Sequence, residues 1–305
     1  LLPELDALVA AELAVPVQNE VAAFAAHIAG LLPSTNAVLF YGSCLRESRL
    51  DGLMLDFYVI VDSYDAAYGG GWRARANRLL PPNVFQIAHA GLRAKYAVLD
   101  STDFARLASA RARNPSVWAR FAQPSRLAWV RDDAARMAAV AAVAQAAPAL
   151  LGAAMPMLAD WPTVAEVWTG AFALTFGAEL RTERKQRGAS LFDADPDRYL
   201  AFTRPALAAA GLAATIADDR VRVTGDLDRA GAGAAWQQRR RQGKALSAAR
   251  LAKAAFTFDG GLDYLAWKIE RHSGVPVPVR PWMRRLPVLG GLVLLPRLLR
   301  SGAVR

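Results

Sequence analysis

A single cysteine, Cys44, and three histidines, His27, His89 and His272, are all that 305 residues provide of the usual metal-binding and disulfide-forming side chains. One cysteine cannot form an internal disulfide, and no C-x-x-C or H-x-x-x-H spacing occurs, so neither a disulfide scaffold nor a zinc site is expected. A chain this long can bury a core without such staples. The phosphate-binding pattern G-x-x-x-x-G-K-[ST] is also missing, because Gly243-Lys244 is preceded by Gln238 where the first glycine would stand. That disfavours kinase-type use of ATP. Lysine is scarce as well, five against 32 arginines. Where arginine is the default cation, each surviving lysine (Lys95, Lys185, Lys244, Lys253, Lys268) gains weight as a required residue. The first thirteen residues contain acids and no base, which is the wrong sign for the basic start of a secretory or transit signal and points to the cytoplasm.

Charge is not spread evenly. Residues 1–130 carry 12 basic and 11 acidic side chains, residues 131–230 carry 11 and 13, and residues 231–305 carry 14 and 3. The net +10 therefore sits in the C-terminal quarter, where it will attract a polyanion, either nucleic acid or an anionic bilayer. Between Arg280 and Arg300, arginines flank Trp282 and a ten-residue apolar run at 286–295. Ten residues are too few to span a bilayer, which takes about twenty. Arginines around leucines and valines suit a segment lying among lipid headgroups, with a helix docked on the protein's own core as the alternative.

Hydrophobic periodicity divides the chain. Residues 7–31 have helical spacing, with Gly30 and Pro33 as the expected stop. Residues 37–41 and 53–61 are apolar runs rich in β-branched and aromatic residues and read as buried strands, and 84–87 and 96–99 are further strand candidates. From about 102 to 211 alanine and leucine dominate and the text reads as helical, with breaks near the prolines. Residues 237–268 are again helix-compatible around an interruption at 256–261. The expected fold class is α/β (α+β), with a mixed sheet in a catalytic domain at 1–125, a helical domain at 126–250 and a basic, amphipathic C-terminal segment at 251–305.

Tyr41-Gly42-Ser43 follows the first strand, and Asp56 lies inside the second, Met54-Leu-Asp-Phe-Tyr-Val-Ile-Val61. A carboxylate within an apolar strand is costly unless a cation offsets its desolvation. Strand, Gly-Ser, spacer, strand, Asp resembles the nucleotidyltransferase superfamily. There the Gly-Ser turn approaches nucleotide phosphates and the strand acid holds Mg²⁺. The superfamily's second acid, two residues on, is here Tyr58. Taken with Lys95-Tyr96 opening a strand, Arg120-Phe-Ala-Gln-Pro124, Gly177-Ala-Glu-Leu-Arg181 and Lys253-Ala-Ala-Phe-Thr257, the order is similar to the mitochondrial translocator-assembly-and-maintenance family of phosphatidate cytidylyltransferases, across about residues 37–260. Cys44, Ala97 and Ser125 depart from that family's pattern.

The resemblance implies a nucleotidyltransferase-like domain that joins CTP to phosphatidate in an anionic membrane, giving CDP-diacylglycerol and pyrophosphate. It implies Mg²⁺ or another divalent cation on Asp56, with Glu179 as a second acid. Ser43, Asp56 and Lys95 are the implied catalytic residues. Tyr41, Gly42, Ser43, Lys95 and Arg181 are placed on the nucleotide, and Lys253 and Arg181 on the lipid substrate. Such an enzyme would be cytoplasmic and peripherally bound to the inner membrane, with no nucleic-acid partner. Two other readings remain open at this point. One is a soluble nucleotidyltransferase acting on a sugar phosphate, an RNA end or an antibiotic. The other is a catalytically dead protein that binds nucleic acid through Arg239-Arg240-Arg241 and the tail.

Overall fold

The computed structural model describes residues 3–47, 49–50, 52–178, 187–257, 270 and 278–285. The helical stretch expected over 7–31 is two helices, α1 (Pro3–Ala14) and α2 (Asn19–Leu31), bent by 101°. Pro16 lies in the break; it cannot donate to a helical ladder and biases Val15 toward extended backbone.

The runs expected as strands do form strands: β1 (Thr35–Tyr41), β2 (Met54–Val61), β3 (Asn83–His89) and β4 (Leu92–Asp100). Two short helices, α3 (Tyr64–Tyr68) and α4 (Gly71–Leu79), connect β2 to β3. After β4 come α5 (Ser101–Leu107), α6 (Trp118–Phe121) and a fifth strand, β5 (Ser125–Val130). The sheet order is β3-β4-β2-β1-β5, with β2 and β4 parallel and the other pairs antiparallel. The protein is thus a mixed α/β fold around a five-stranded mixed sheet. β5 falls in the stretch read as helical, and it carries the sheet beyond residue 125 by pairing Ser125 with Tyr41 and Val130 with Ala37.

Beyond the sheet follow α7 (Asp133–Val143), α8 (Ala146–Ala154), α9 (Val164–Ala178), α10 (Arg187–Asp193) and α11 (Pro196–Ala209). A hairpin, β6 (Ala214–Ala217) and β7 (Arg220–Val223), leads to the long α12 (Arg229–Thr257), and α13 (Pro281–Arg285) is the last described element. The hairpin turns on Asp218 and Asp219, with φ of 49° and 61°, the left-handed pair that a two-residue hairpin loop requires.

Both faces of the sheet are covered, so its strands read as continuous apolar runs. On one face Leu39, Tyr41, Tyr58, Ile60 and Leu99 join α1, α5, α6, α8, α9 and α11 in one core. On the other, Val38, Phe40, Phe57 and Val59 pack against α2, α3 and α4 through Phe24, Ile28, Tyr64 and Ala74. The first core runs without interruption from the sheet into the helices after residue 130. A helical stretch at Asp133–Met157 is long and apolar enough to cross a membrane by length and composition, yet 61% of its apolar window is buried inside the protein.

One buried ion pair fastens these layers. Glu12 of α1 pairs with Arg198 of α11, their side chains 9% and 7% exposed. Arg198 also donates to the Ala122 carbonyl at 3.0 Å, and Glu12 accepts from the Ser125 amide at 3.2 Å. Helix α1 is thereby tied both to α11 and to the entry of β5.

Candidate active site

Period-two alternation puts Asp56, Tyr58 and Ile60 on the same face of β2, the face that carries the larger core. Asp56 is the outermost of the three. The ladders set it opposite Tyr41 on β1 and Lys95 on β4, and they extend the row to Ser125 on β5 and Gln86 on β3. Residues directly opposite one another share a face, so three motif positions far apart in sequence meet in one row.

The Lys95 ammonium stands 3.1 Å from Asp56 Oδ1, with the two side chains 40% and 21% exposed. It lies off the hydrogen-bonding direction, and Oδ1 is shielded from solvent with no hydrogen-bond partner. The result is an ion pair that leaves the carboxylate oxygen unsaturated. Gly42 follows Tyr41 with φ +96° and ψ −166°, a region essentially reserved for glycine. A Cβ on Gly42 would stand 3.2 Å from Asp56 Oδ2. Glycine is therefore required twice at this position, for its backbone angle and for the close approach of the carboxylate. Ser43 opens a 3₁₀ turn, Ser43–Arg46, and is exposed. Cys44 behind it is buried and points its thiol at the Met54 carbonyl, 3.5 Å away; burial, and after it the Asp56 carboxylate, push that thiol's pKa up.

Substituting Gly42 by alanine should cost about 1–3 kcal/mol of stability from backbone strain alone. It should also displace the Asp56 carboxylate. Urea unfolding measures the loss of stability, and an unchanged value would mean the turn is not built around the carboxylate.

Tyr41 forms a wall rather than an open contact. Its ring is buried between Tyr58 at 5.4 Å and Phe121 at 6.2 Å, and the Arg120 guanidinium lies over it at 4.8 Å. Tyr58, where the sequence resemblance would place a second acid, is buried and packs edge-on against Phe121 at 5.2 Å. Arg120 enters the neighbourhood through α6, and its presence in the Arg120–Pro124 segment was the only sequence signal for it.

Lys253 is not brought to this row. Its ammonium donates to the carbonyls of Leu80 and Pro82, the latter at 2.8 Å, while Arg250 one turn earlier donates to the Pro81 carbonyl at 2.9 Å and to Ser116 Oγ at 3.1 Å. Two cations of α12 thus clasp three successive carbonyls where the chain enters β3. That is the Asn83–Val98 end of the β3/β4 ladder, three positions from Gln86–Lys95.

Burial, followed by the nearby Arg250 charge, lowers the Lys253 pKa to about 7. An unfolded lysine titrates near about 10.4, so between these values the unfolded chain binds more protons and stability rises with pH. Wild type should gain stability from pH 7 to pH 9 relative to Lys253→Met in chemical unfolding. Parallel pH profiles would contradict the buried clasp.

Glu179 and Arg181 lie outside the described residues, as does the apolar run at 286–295. Asp62, at the far end of β2, is bound to Asn36 at 2.8 Å and to Arg131 at 3.1 Å. No group of three metal-ligating side chains occurs among the described residues. The row around Asp56 thus offers one carboxylate with an unsaturated oxygen. That fits Mg²⁺, which is commonly bound by one or two carboxylates with substrate phosphates and water, and does not fit an all-protein cage. The arginine triplet is not one solvated strip: Arg239 is half-buried with its guanidinium 5.0 Å from the Trp236 ring, and only Arg240 and Arg241 are exposed.

Compared with known proteins, the chain matches no family model and no curated protein sequence.

Proposed function

We propose that the protein is a nucleotidyltransferase that joins CTP to phosphatidate at the cytoplasmic face of a membrane, releasing pyrophosphate and leaving CDP-diacylglycerol. The observation that carries this reading is the convergence of Gly42, Asp56 and Lys95, with the carboxylate pressed against a glycine turn on one side and beside an ammonium on the other. A strand acid at a Gly-Ser turn on a mixed sheet is the arrangement that nucleotidyltransferase-like domains use, and the resemblance in motif order supports the lipid acceptor.

In this mechanism Asp56 would hold the divalent cation. Bound there, Mg²⁺ would supply charge neutralisation for the triphosphate and for departing pyrophosphate. Lys95 restrains the Asp56 carboxylate and presents its remaining donors to the phosphates. Gly42 leaves room for a phosphate beside the carboxylate, and the exposed Ser43 hydroxyl donates to a phosphate oxygen. A phosphate oxygen of phosphatidate attacks the α-phosphorus of CTP, and the bond to the β-phosphate bridging oxygen breaks with its electron pair leaving on pyrophosphate. A phosphate monoester is largely ionised near neutral pH, so alignment and charge neutralisation suffice without a general base.

The arginine-rich C-terminal segment supports delivery to an anionic bilayer. Of it, Trp282 is 39% exposed, and Met283 beside it is buried. The purified protein should be incubated with each of the four nucleoside triphosphates, Mg²⁺ and phosphatidate micelles. A CDP-lipid formed from CTP supports the proposal. Nucleotide transfer only to a water-soluble acceptor would favour a soluble enzyme.

A further inference from the structure

Helix α4 is amphipathic in the wrong sense for a helix that meets only water. Its buried residues, Ala74 and Asn77, face the sheet. At 100° per residue, Trp72 and Leu79 are seven positions apart and fall on one line, on the side opposite those two. They are 52% and 87% exposed. Arg73 flanks this apolar crest on one side and Arg75 and Arg78 on the other, all exposed, and the helix contains no acid. Arg78 is paired with Asp65 at 2.7 Å. Arg73 and Arg75 form no ion pair with the described residues.

The crest is also held rigidly. Asn77 donates to the Val98 carbonyl at 2.9 Å and accepts from the Asn83 amide, and Asn83 in turn donates to the Arg73 carbonyl at 3.1 Å. The exposed side chains therefore project from a backbone fixed to β3 and β4, so little ordering is left for binding.

We infer that α4 is a docking surface for an anionic lipid bilayer, with Trp72 and Leu79 entering the boundary between headgroups and acyl chains and Arg73 and Arg75 resting on lipid phosphates. Arginines on both flanks of an apolar line can keep their charges among headgroups while their stems cover the buried side chains. Trp72 has a face on which a nucleobase could stack, but Leu79, the more exposed of the two, has none and gains only from an apolar phase, so lipid is favoured over nucleic acid. The inference stands on the helix alone and does not depend on the reaction at Asp56.

The test uses the full chain carrying Leu79→Cys, labelled with an environment-sensitive thiol dye. Cys44 is buried, which directs labelling to the new thiol. A matched variant carries Asp133→Cys, at a side chain 97% exposed on α7. With phosphatidylglycerol vesicles containing nitroxide-labelled acyl chains, the dye at position 79 should shift to the blue and be quenched, and the dye at 133 should not. Phosphatidylcholine vesicles should give little of either effect. Arg73→Gln with Arg75→Gln should weaken binding to the anionic vesicles about tenfold or more, from roughly one kcal/mol per arginine. The inference is overturned if the dye at 79 stays unquenched, if both positions respond alike, or if duplex DNA rather than lipid produces the shift. No nucleotide or turnover enters the measurement, so its failure leaves the catalytic proposal to its own test.

Discussion

Replacing Asp56 by asparagine should reduce formation of CDP-lipid by about a thousandfold or more while leaving the fold in place. The change removes the carboxylate's negative charge and nearly preserves shape, so it would act on the proposed cation and on the phosphates that cation would neutralise. Its effect on stability should be small, because the pair it breaks with Lys95 is partly exposed, and such pairs contribute at most about 1 kcal/mol. Thermal unfolding and steady-state rates on one preparation separate the two effects. A variant keeping a tenth or more of wild-type turnover would place the metal-binding carboxylate elsewhere. Lys95→Met, which removes the neighbouring charge, should fall between wild type and Asp56→Asn.

The second large effect concerns stability. Glu12→Gln leaves the Arg198 guanidinium buried against Phe202 and Tyr199 without its counter-charge, which should cost about 3–5 kcal/mol. Removing both partners as Glu12→Leu with Arg198→Met should cost much less, since no charge is then stranded. Urea unfolding of Glu12→Leu, Arg198→Met and the variant carrying both gives the coupling directly. Additive losses would mean that the two side chains act separately in fastening α1 to α11.

β1 and β2 could be read from sequence because burial on both faces makes them nearly unbroken apolar runs, with Asp56 as the one charge inside them, and the shorter apolar runs at 84–87 and 96–99 mark β3 and the part of β4 that lies beyond the charged Arg93 and Lys95. The meeting of Asp56 with Lys95 was less accessible. It depends on β2 and β4 pairing in parallel across an intervening helical connection and β3, a register that no local pattern encodes. β5 was hidden because Ser125-Arg-Leu-Ala-Trp-Val sits in alanine-rich surroundings, and only its pairing with β1 makes it a strand. Lys253 looked like a substrate cation through its scarcity and its motif, whereas its neighbours in space are the carbonyls of Leu80 and Pro82, 173 and 171 positions away. The Glu12–Arg198 pair, 186 positions apart, left no trace in spacing or composition. Its signal exists only once both helices are packed. The outward Trp72 and Leu79 could be counted in sequence, but their exposure follows from which side of α4 the asparagine network fixes to the sheet.

The most direct test of the central claim is the fate of labelled phosphorus. Wild-type protein with phosphatidate, Mg²⁺ and CTP labelled at the α-phosphorus should carry the label into the lipid fraction, and CTP labelled at the γ-phosphorus should release it as pyrophosphate in equal amount. Label from the γ-position in lipid, or α-label confined to CMP with no CDP-lipid formed, would contradict phosphatidate cytidylyl transfer at the Asp56 site.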